Sequence, residues 1–339
     1  MKTLKLTLND NKRFEEAAAL HEQIVNQIKQ VIVGQDGLIE RIMLSIIIGG
    51  HCLLEGAPGL AKTLLMKTIC ACVDGSFKRI QFTPDLLPAD LLGIQVYNPA
   101  NQSFSFSPGP IFSNLVLVDE INRAPAKVQS ALLEAMQEKQ VTTAGLTYKL
   151  DELFTVLATQ NPLEHEGTYP LPEAQIDRFT FKLLMQHPSQ HEEEAIVQRF
   201  CVFPYQPTAE RVCTPNELIR LRRLAEQVFV EPEIIHQIVK LVQATRHPER
   251  YRLDELKDKI EHGASPRASI ILTQASKGLA LLRGRSYVLM KDLQDIACDV
   301  LRHRIKPSYR ALMEGVDADS ILNILLNRLI ASGSSPIGG

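Results

Sequence analysis

No excess of charge marks this chain: its 339 residues carry 37 Lys plus Arg against 39 Asp plus Glu, a formal charge of −2. That balance offers no electrostatic basis for strong, non-specific nucleic-acid binding. No apolar run is long enough to span a bilayer; Ile42 to Gly50 is the most hydrophobic stretch and falls far short. The start, Met1 to Asp10, alternates polar and apolar residues and lacks the core of a signal peptide. Six cysteines (Cys52, Cys70, Cys72, Cys201, Cys213 and Cys298) show neither disulfide nor zinc spacing. His51 beside Cys52, with Cys70 and Cys72 downstream, offers conceivable metal ligands, but buried thiols in a reducing cytoplasm are the simpler expectation. No internal repeat or low-complexity tract is present. The protein is expected to be cytoplasmic.

What remains is ordinary globular composition, 45% hydrophobic and 22% charged, in a length that suits two domains. Apolar positions at helical spacing predict an opening helix over Glu15 to Ile32. From about 50 to 185, short apolar runs alternate with helical patterns: His51 to Leu54, Phe77 to Phe82, Leu115 to Val118 and Phe154 to Ala158. Continuous apolar strands between helices predict an α/β fold with a parallel sheet covered on both faces. After His187-Pro188 the texture becomes helical, with segments 190–201, 215–229, 232–247, 268–283, 291–304 and 318–331 and no convincing strand. Thr214-Pro215 and Ser265-Pro266 each place a capping hydroxyl before a proline suited to the first helical position. The expected organisation is an αβα core over 1–187 followed by an all-helical domain over 188–339.

Three segments carry chemistry. Gly56-Ala57-Pro58-Gly59-Leu60-Ala61-Lys62-Thr63, with Leu64 following, lies between an apolar strand and an amphipathic helix. In that context backbone N–H groups and a helix N-terminus converge on a β-phosphate, Lys62 adds a cation and Thr63 offers a Mg²⁺ ligand. The usual pattern has Gly where Ala61 stands, and a methyl is tolerated there if Ala61 has right-handed helical angles. Leu115 to Val118 ends in Asp119-Glu120, at the strand edge where α/β sheets bind ligands. Asp119 is placed to hold Mg²⁺ through its water shell, and Glu120 to polarise an attacking water. The third strand runs into Thr159-Gln160-Asn161-Pro162, where Asn161 could hydrogen-bond a γ-phosphate or its water, or simply precede a turn.

Taken together, EGAPGLAKT (55–63), LVDEINRAPAKVQSALLE (117–134), ATQNP (158–162), PEAQIDRF (172–179) and GASPRA (263–268) resemble the MoxR-type AAA+ ATPases in order and spacing over nearly the whole chain. The resemblance implies a P-loop NTPase core with a C-terminal helical lid, and Mg²⁺-dependent ATP hydrolysis in a homo-oligomeric ring, a hexamer. It implies that Arg178 reaches the ATP of a neighbouring subunit; the alternative is an ion pair with Asp177 or Glu173 of its own chain. Arg267 matches the lid arginine directed at the nucleotide, despite its unfavourable place in a helix's first turn. Arg123 is a further candidate for an inter-subunit contact. Val33-Gly34-Gln35 resembles the segment lying against the adenine. Residues 84–110, with a short helix at 86–92 and a hairpin turning at 98–102, resemble the helix-2 insert shared with magnesium chelatase subunits; the alternative is a surface hairpin packed on its own core.

The function so implied is chaperone-like remodelling, maturation or metal insertion of protein clients, with a separate von Willebrand factor A domain protein as partner. Two other readings stand beside it. One is a nucleotide-gated scaffold with little hydrolysis. The other is a DNA-acting motor, for which Arg220-Arg222-Arg223 and Arg302-Arg304-Lys306 are the basic clusters, read more simply as solvated helix faces.

Overall fold

The computed structural model describes residues 8–57, 59–100, 102–143, 145–161, 168–201 and 208–330. Pro58 and Pro162, the tip of the expected hairpin at Asn101 and the C-terminal tail lie outside the described residues.

The chain opens with α1 (Leu8–Val31) and α2 (Asp36–Ile48), then alternates through β1 (Cys52–Glu55), α3 (Lys62–Val73) and β2 (Phe77–Gln81). Next come α4 (Pro88–Leu92), β3 (Gly93–Asn98), β4 (Ser103–Pro108), β5 (Leu115–Asp119) and α5 (Ala126–Glu138). After them lie β6 (Gln140–Thr143), β7 (Leu146–Lys149), β8 (Thr155–Gln160), α6 (Glu173–Ile176), β9 (Phe181–Leu184) and α7 (Gln190–Phe200). The remainder is α8 (Pro215–Glu226), α9 (Pro232–Ala244), β10 (Ile260–His262), α10 (Pro266–Leu282), α11 (Met290–Leu301), β11 (Lys306–Pro307), α12 (Tyr309–Met313) and α13 (Ala318–Leu329).

The main sheet has the order β2-β5-β8-β1-β9. β5 (LVLVD) is buried along its whole length and β8 along all but its last residue, because strands covered on both faces need unbroken apolar side chains. Parallel register sets Gln81 beside Asp119, Val118 beside Ala158, and Glu55 beside Gln160. The carboxyl ends of four strands therefore finish on one edge. A core of Val116, Val118, Leu132, Phe154, Val156 and Phe179, among others, lies behind it.

The short helix and hairpin expected over 84–110 are α4 and the antiparallel β3–β4 pair. A second hairpin, β6–β7, is legible in the sequence only in retrospect. The two meet where Phe106 stacks on Tyr148, with ring centroids 4.0 Å apart, and Gln95 Nε2 donates to the Tyr148 hydroxyl at 3.1 Å.

Two compact units emerge. One comprises Leu20–Phe179 and Leu183–Leu221; the other gathers the chain up to Ala19, Thr180–Lys182 and the residues from Arg222 on. After β9 the chain is mainly helical, but the first compact unit continues to Leu221. Contacts explain why: Arg199 of α7 donates to the carbonyls of Lys29 and Gln30, both at 3.0 Å, and Val212 N–H donates to Cys72 O at 2.8 Å. The second unit is mainly helical, yet β10 and β11 form a small antiparallel pair that the sequence pattern did not announce. At α8 Thr214 and Glu217 cap reciprocally, Thr214 N–H donating to Glu217 Oε2 at 2.8 Å and Glu217 N–H to Thr214 Oγ1 at 3.4 Å. Ser265 stands at the N-cap of α10, but its hydroxyl makes no cap hydrogen bond. In the second basic cluster, Arg302 pairs with Asp299 and Asp319, and Lys306 with Glu261.

His51 has a structural position. Val156 N–H donates to its Nδ1 at 3.0 Å, which puts the ring proton on Nε2, 3.2 Å from Met136 O. Cys52, Cys70, Cys72 and Cys213 are buried, whereas Cys201, at the end of α7, is exposed, contrary to the expectation for the set. Burial pushes the Cys70 and Cys72 thiols up to about 11 and that of Cys213 to about 12. No described helix is long and apolar enough to cross a membrane. His51→Leu should orphan a buried N–H and a buried carbonyl and cost about 2–4 kcal/mol in chemical denaturation; an unchanged midpoint would show that the two bonds contribute nothing.

Candidate nucleotide site

β1 is short because the chain must leave the sheet at Glu55 and turn into α3. Gly59, at φ 85°, takes a backbone conformation that suits glycine. Ala61 does so too, at φ 56° and ψ 26°, as the N-cap of α3. The expectation of right-handed angles for Ala61 is thus overturned. The loop reverses immediately before the first helical residue, Lys62, and Ala61 O accepts from Leu65 N–H at 3.0 Å. The methyl group is exposed, so space is not the obstacle; the backbone angle is.

Two adjoining cavities share Gly59, Leu60 and Ala61. The larger, about 370 Å³, brings together Lys62, Thr63, Asp119, Glu120 and Asn161, all anticipated, with Arg79, Gln81 and Thr159, which were not. The smaller, about 150 Å³, is apolar and is lined by Val33, Gln35 and Leu64 together with Met185, Ile196 and Phe200. Gly34 lies between two of these residues at φ 69°, where a Cβ would fall 2.1 Å from Glu192 Oε1. Gly56 is packed against Met185 at the start of the loop, followed by Ala57.

The acid pair is held from three sides. Asp119 Oδ2 accepts from Arg79 Nε at 2.6 Å, and its Oδ1 lies 3.4 Å from the Thr159 hydroxyl, which in turn accepts from Glu120 N–H at 3.0 Å. Glu120 Oε2 accepts from Gln81 Nε2 at 2.8 Å and ion-pairs with Arg123 Nε at 3.1 Å. Arg123, a candidate for an inter-subunit contact, ion-pairs with Glu120 from the short 3₁₀ turn that follows it. Glu120 itself stands at φ 57° and ψ 54°, a strained conformation for a non-glycine residue. Lys62 Nζ donates to Gly56 O at 2.7 Å. Burial pushes its ammonium below the usual range, against the opposing pull of Asp119 and Glu120.

Oxygen ligands from Thr63 and Asp119, beside a cation and a strand-edge acid, fit a hydrated Mg²⁺ on a polyphosphate. The apolar cavity next to it fits a planar base. Arg178, in the core unit, lines neither cavity, and its guanidinium makes no ion pair among the described residues; no bond to Asp177 or Glu173 holds it. Arg267 belongs to the other unit, where it is exposed in the first turn of α10.

Comparison with known proteins agrees with this geometry. The ATPase family associated with various cellular activities (AAA) matches residues 51–181, and its lid domain matches 252–325. Chaperone MoxR1 of Mycobacterium tuberculosis is 46% identical over 312 residues, 91% of this chain and 82% of that protein. The chain belongs to the MoxR family of AAA+ ATPases. Protein MoxR of Methylorubrum extorquens is 29% identical over 86% of this chain and 88% of its own. A crystal structure from Cytophaga hutchinsonii, provisionally named an ATPase, superposes with a TM-score of 0.89 at 42% identity, covering 94% of this chain and 96% of that one. In this MoxR-family chain the five-stranded sheet is the AAA+ core, and the AAA lid lies at the C-terminal side.

Arg79 and Gln81 escaped the sequence reading although a signal existed. Residues two apart on a strand share a face, so Arg79 and Gln81 of Phe77–Gln81 (FKRIQ) stand on one side, beside the acids. Thr159 was equally visible, one residue before Gln160. Ile196 and Phe200 were not, since nothing local ties a helix at 190–200 to the loop at 56–63. Ala61→Gly should relieve the left-handed strain and raise stability by about 0.5–1 kcal/mol in chemical denaturation, after allowing for the more flexible unfolded chain; a loss of stability would contradict the backbone angle found here.

Proposed function

We propose that this chain binds Mg·ATP across the two cavities and hydrolyses it, in a cytoplasmic ring whose subunits complete one another's sites. One observation carries the reading: Lys62, Thr63, Asp119, Glu120 and Asn161, from three separate parts of the sequence, line a single cavity of about 370 Å³. The adjoining apolar cavity would take the adenine, with Val33 and Gln35 on one wall and Ile196 and Phe200 from α7 also lining it.

Loop N–H groups and the Lys62 ammonium would bind the β- and γ-phosphates, while Thr63 and Asp119 would hold the metal. A Mg²⁺ ion held by Thr63 and Asp119 would supply positive charge against the negative charge that develops on the phosphates. Glu120 would orient and deprotonate the attacking water, once released from Gln81 and Arg123. Asn161 would hold that water or the γ-phosphate by its amide. Arg178, with no ion pair among the described residues, suits a guanidinium supplied to the neighbouring subunit. Arg267 would report the state of the nucleotide to the lid.

The use to which hydrolysis is put is remodelling, maturation or metal insertion of partner proteins. A relative named a chaperone, at 46% identity, supports protein clients. A separate von Willebrand factor A domain protein is proposed as the adaptor, and a hexamer as the ring.

Two variants test the chemistry. Glu120→Gln should keep nucleotide binding and slow turnover by about 10²–10⁴-fold; equal, negligible rates in wild type and variant would favour a scaffold. Arg178→Ala should also bind, yet lose about 10³–10⁵ in rate, by analogy with arginine fingers of GTPases. Wild-type turnover in that variant would remove the trans role, and mass measurement with and without ATP would report the ring.

A further inference from the structure

Asp119 is an unusual metal ligand in one respect: a cation already holds it. Its side chain is only 11% exposed, and Oδ2 receives the Arg79 Nε at 2.6 Å. The other oxygen faces the Thr159 hydroxyl at 3.4 Å, so both carboxylate oxygens have partners within the protein. Arg79 differs from Asp119 in burial. Its side chain is 51% exposed, on a strand at the edge of the main sheet. A long side chain so placed can withdraw its head into solvent without disturbing the core.

We propose that Arg79 is a positioning residue that holds the Asp119 carboxylate and yields it to an incoming divalent cation, so that it tempers the Mg²⁺ dependence of nucleotide binding. The inference rests on the Mg·ATP reading above. The physical reason is competition for a single anion. A buried carboxylate needs a counter-charge. Arg79 supplies one, but a guanidinium and a divalent ion on the same carboxylate would repel each other strongly in a partly desolvated cavity. Because Arg79 is half-exposed and Asp119 is nearly buried, the guanidinium is the group that leaves. The same strand places Gln81 two residues on, against Glu120 at 2.8 Å, so β2 faces both acids. Arg79 is the member that bears charge, and only it competes with a metal.

The test uses binding of a fluorescent ADP analogue to the full-length chain, in EDTA and in saturating Mg²⁺. In Arg79→Gln the ratio of the EDTA to the Mg²⁺ dissociation constant should rise about two- to five-fold, the scale set by a partly exposed ion pair. Arg79→Lys, which keeps the charge without the fork, should fall between the two. In an Asp119→Asn background the Arg79→Gln effect should vanish. An unchanged or lower ratio overturns the proposal, as does an effect that persists without Asp119. A tenfold loss of affinity in EDTA also overturns it, since the guanidinium would then serve the phosphates. Failure of the wild type to bind the analogue at all would instead sink the Mg·ATP reading. Circular dichroism of each variant separates these outcomes from misfolding, and the Lys variant serves should Gln fail to fold.

Discussion

Two carboxylates end a fully buried strand, and the surrounding structure answers the energetic demand they create. Asp119 and Glu120 follow four residues that water does not reach. Ionised groups there are tolerable only with counter-charges or strong donors close by. The donors come from neighbours that the sheet order supplies, Arg79 and Gln81 from β2 on one side and Thr159 from β8 on the other, and Arg123 in the turn that follows adds an ion pair to Glu120. Were β2 and β8 not the flanking strands, the acids would lack partners, and the cavity would lose the charge balance that suits a polyphosphate and its metal.

The same edge concentrates backbone strain. Ala61, Glu120 and Gln35 all have positive φ without being glycine, and all three line the cavities. Such conformations persist where packing on either side over-determines them. Here β1 and β5 set where the loops carrying Ala61 and Glu120 start, α1 sets where the one carrying Gln35 starts, and α2 and α3 set where two of the three end. The loop at 56–63 and the turn at Glu120 are therefore held open toward one another instead of relaxing into ordinary turns.

The apolar side of the site depends on a segment far away in sequence. Gln35 Nε2 donates to Gln186 O at 3.0 Å, Gly34 leaves room for Glu192, and Arg199 caps the end of α1. These contacts bind α7 to the wall formed by residues 31–35 and account for the core unit continuing beyond residue 187. Thus a helix that reads in sequence as the first of the second domain is built into the first.

How much was legible divides along physical lines. The loop from Gly56 into α3, the acid pair and Asn161 just past the end of β8 were readable as local features, because each is a short run whose neighbours in sequence are its neighbours in space. Continuous apolar runs likewise predicted a parallel sheet. The left-handed angle of Ala61 was not readable, since a residue's name does not report which way a loop must turn. Nor were the pairs Arg79–Asp119 and Gln81–Glu120, which depend on strand register between segments about forty residues apart. Local order along the chain determined which chemical groups this protein owns. Only tertiary structure decided which of them face each other, because burial forces ionised groups to find partners across the sheet and not along the strand.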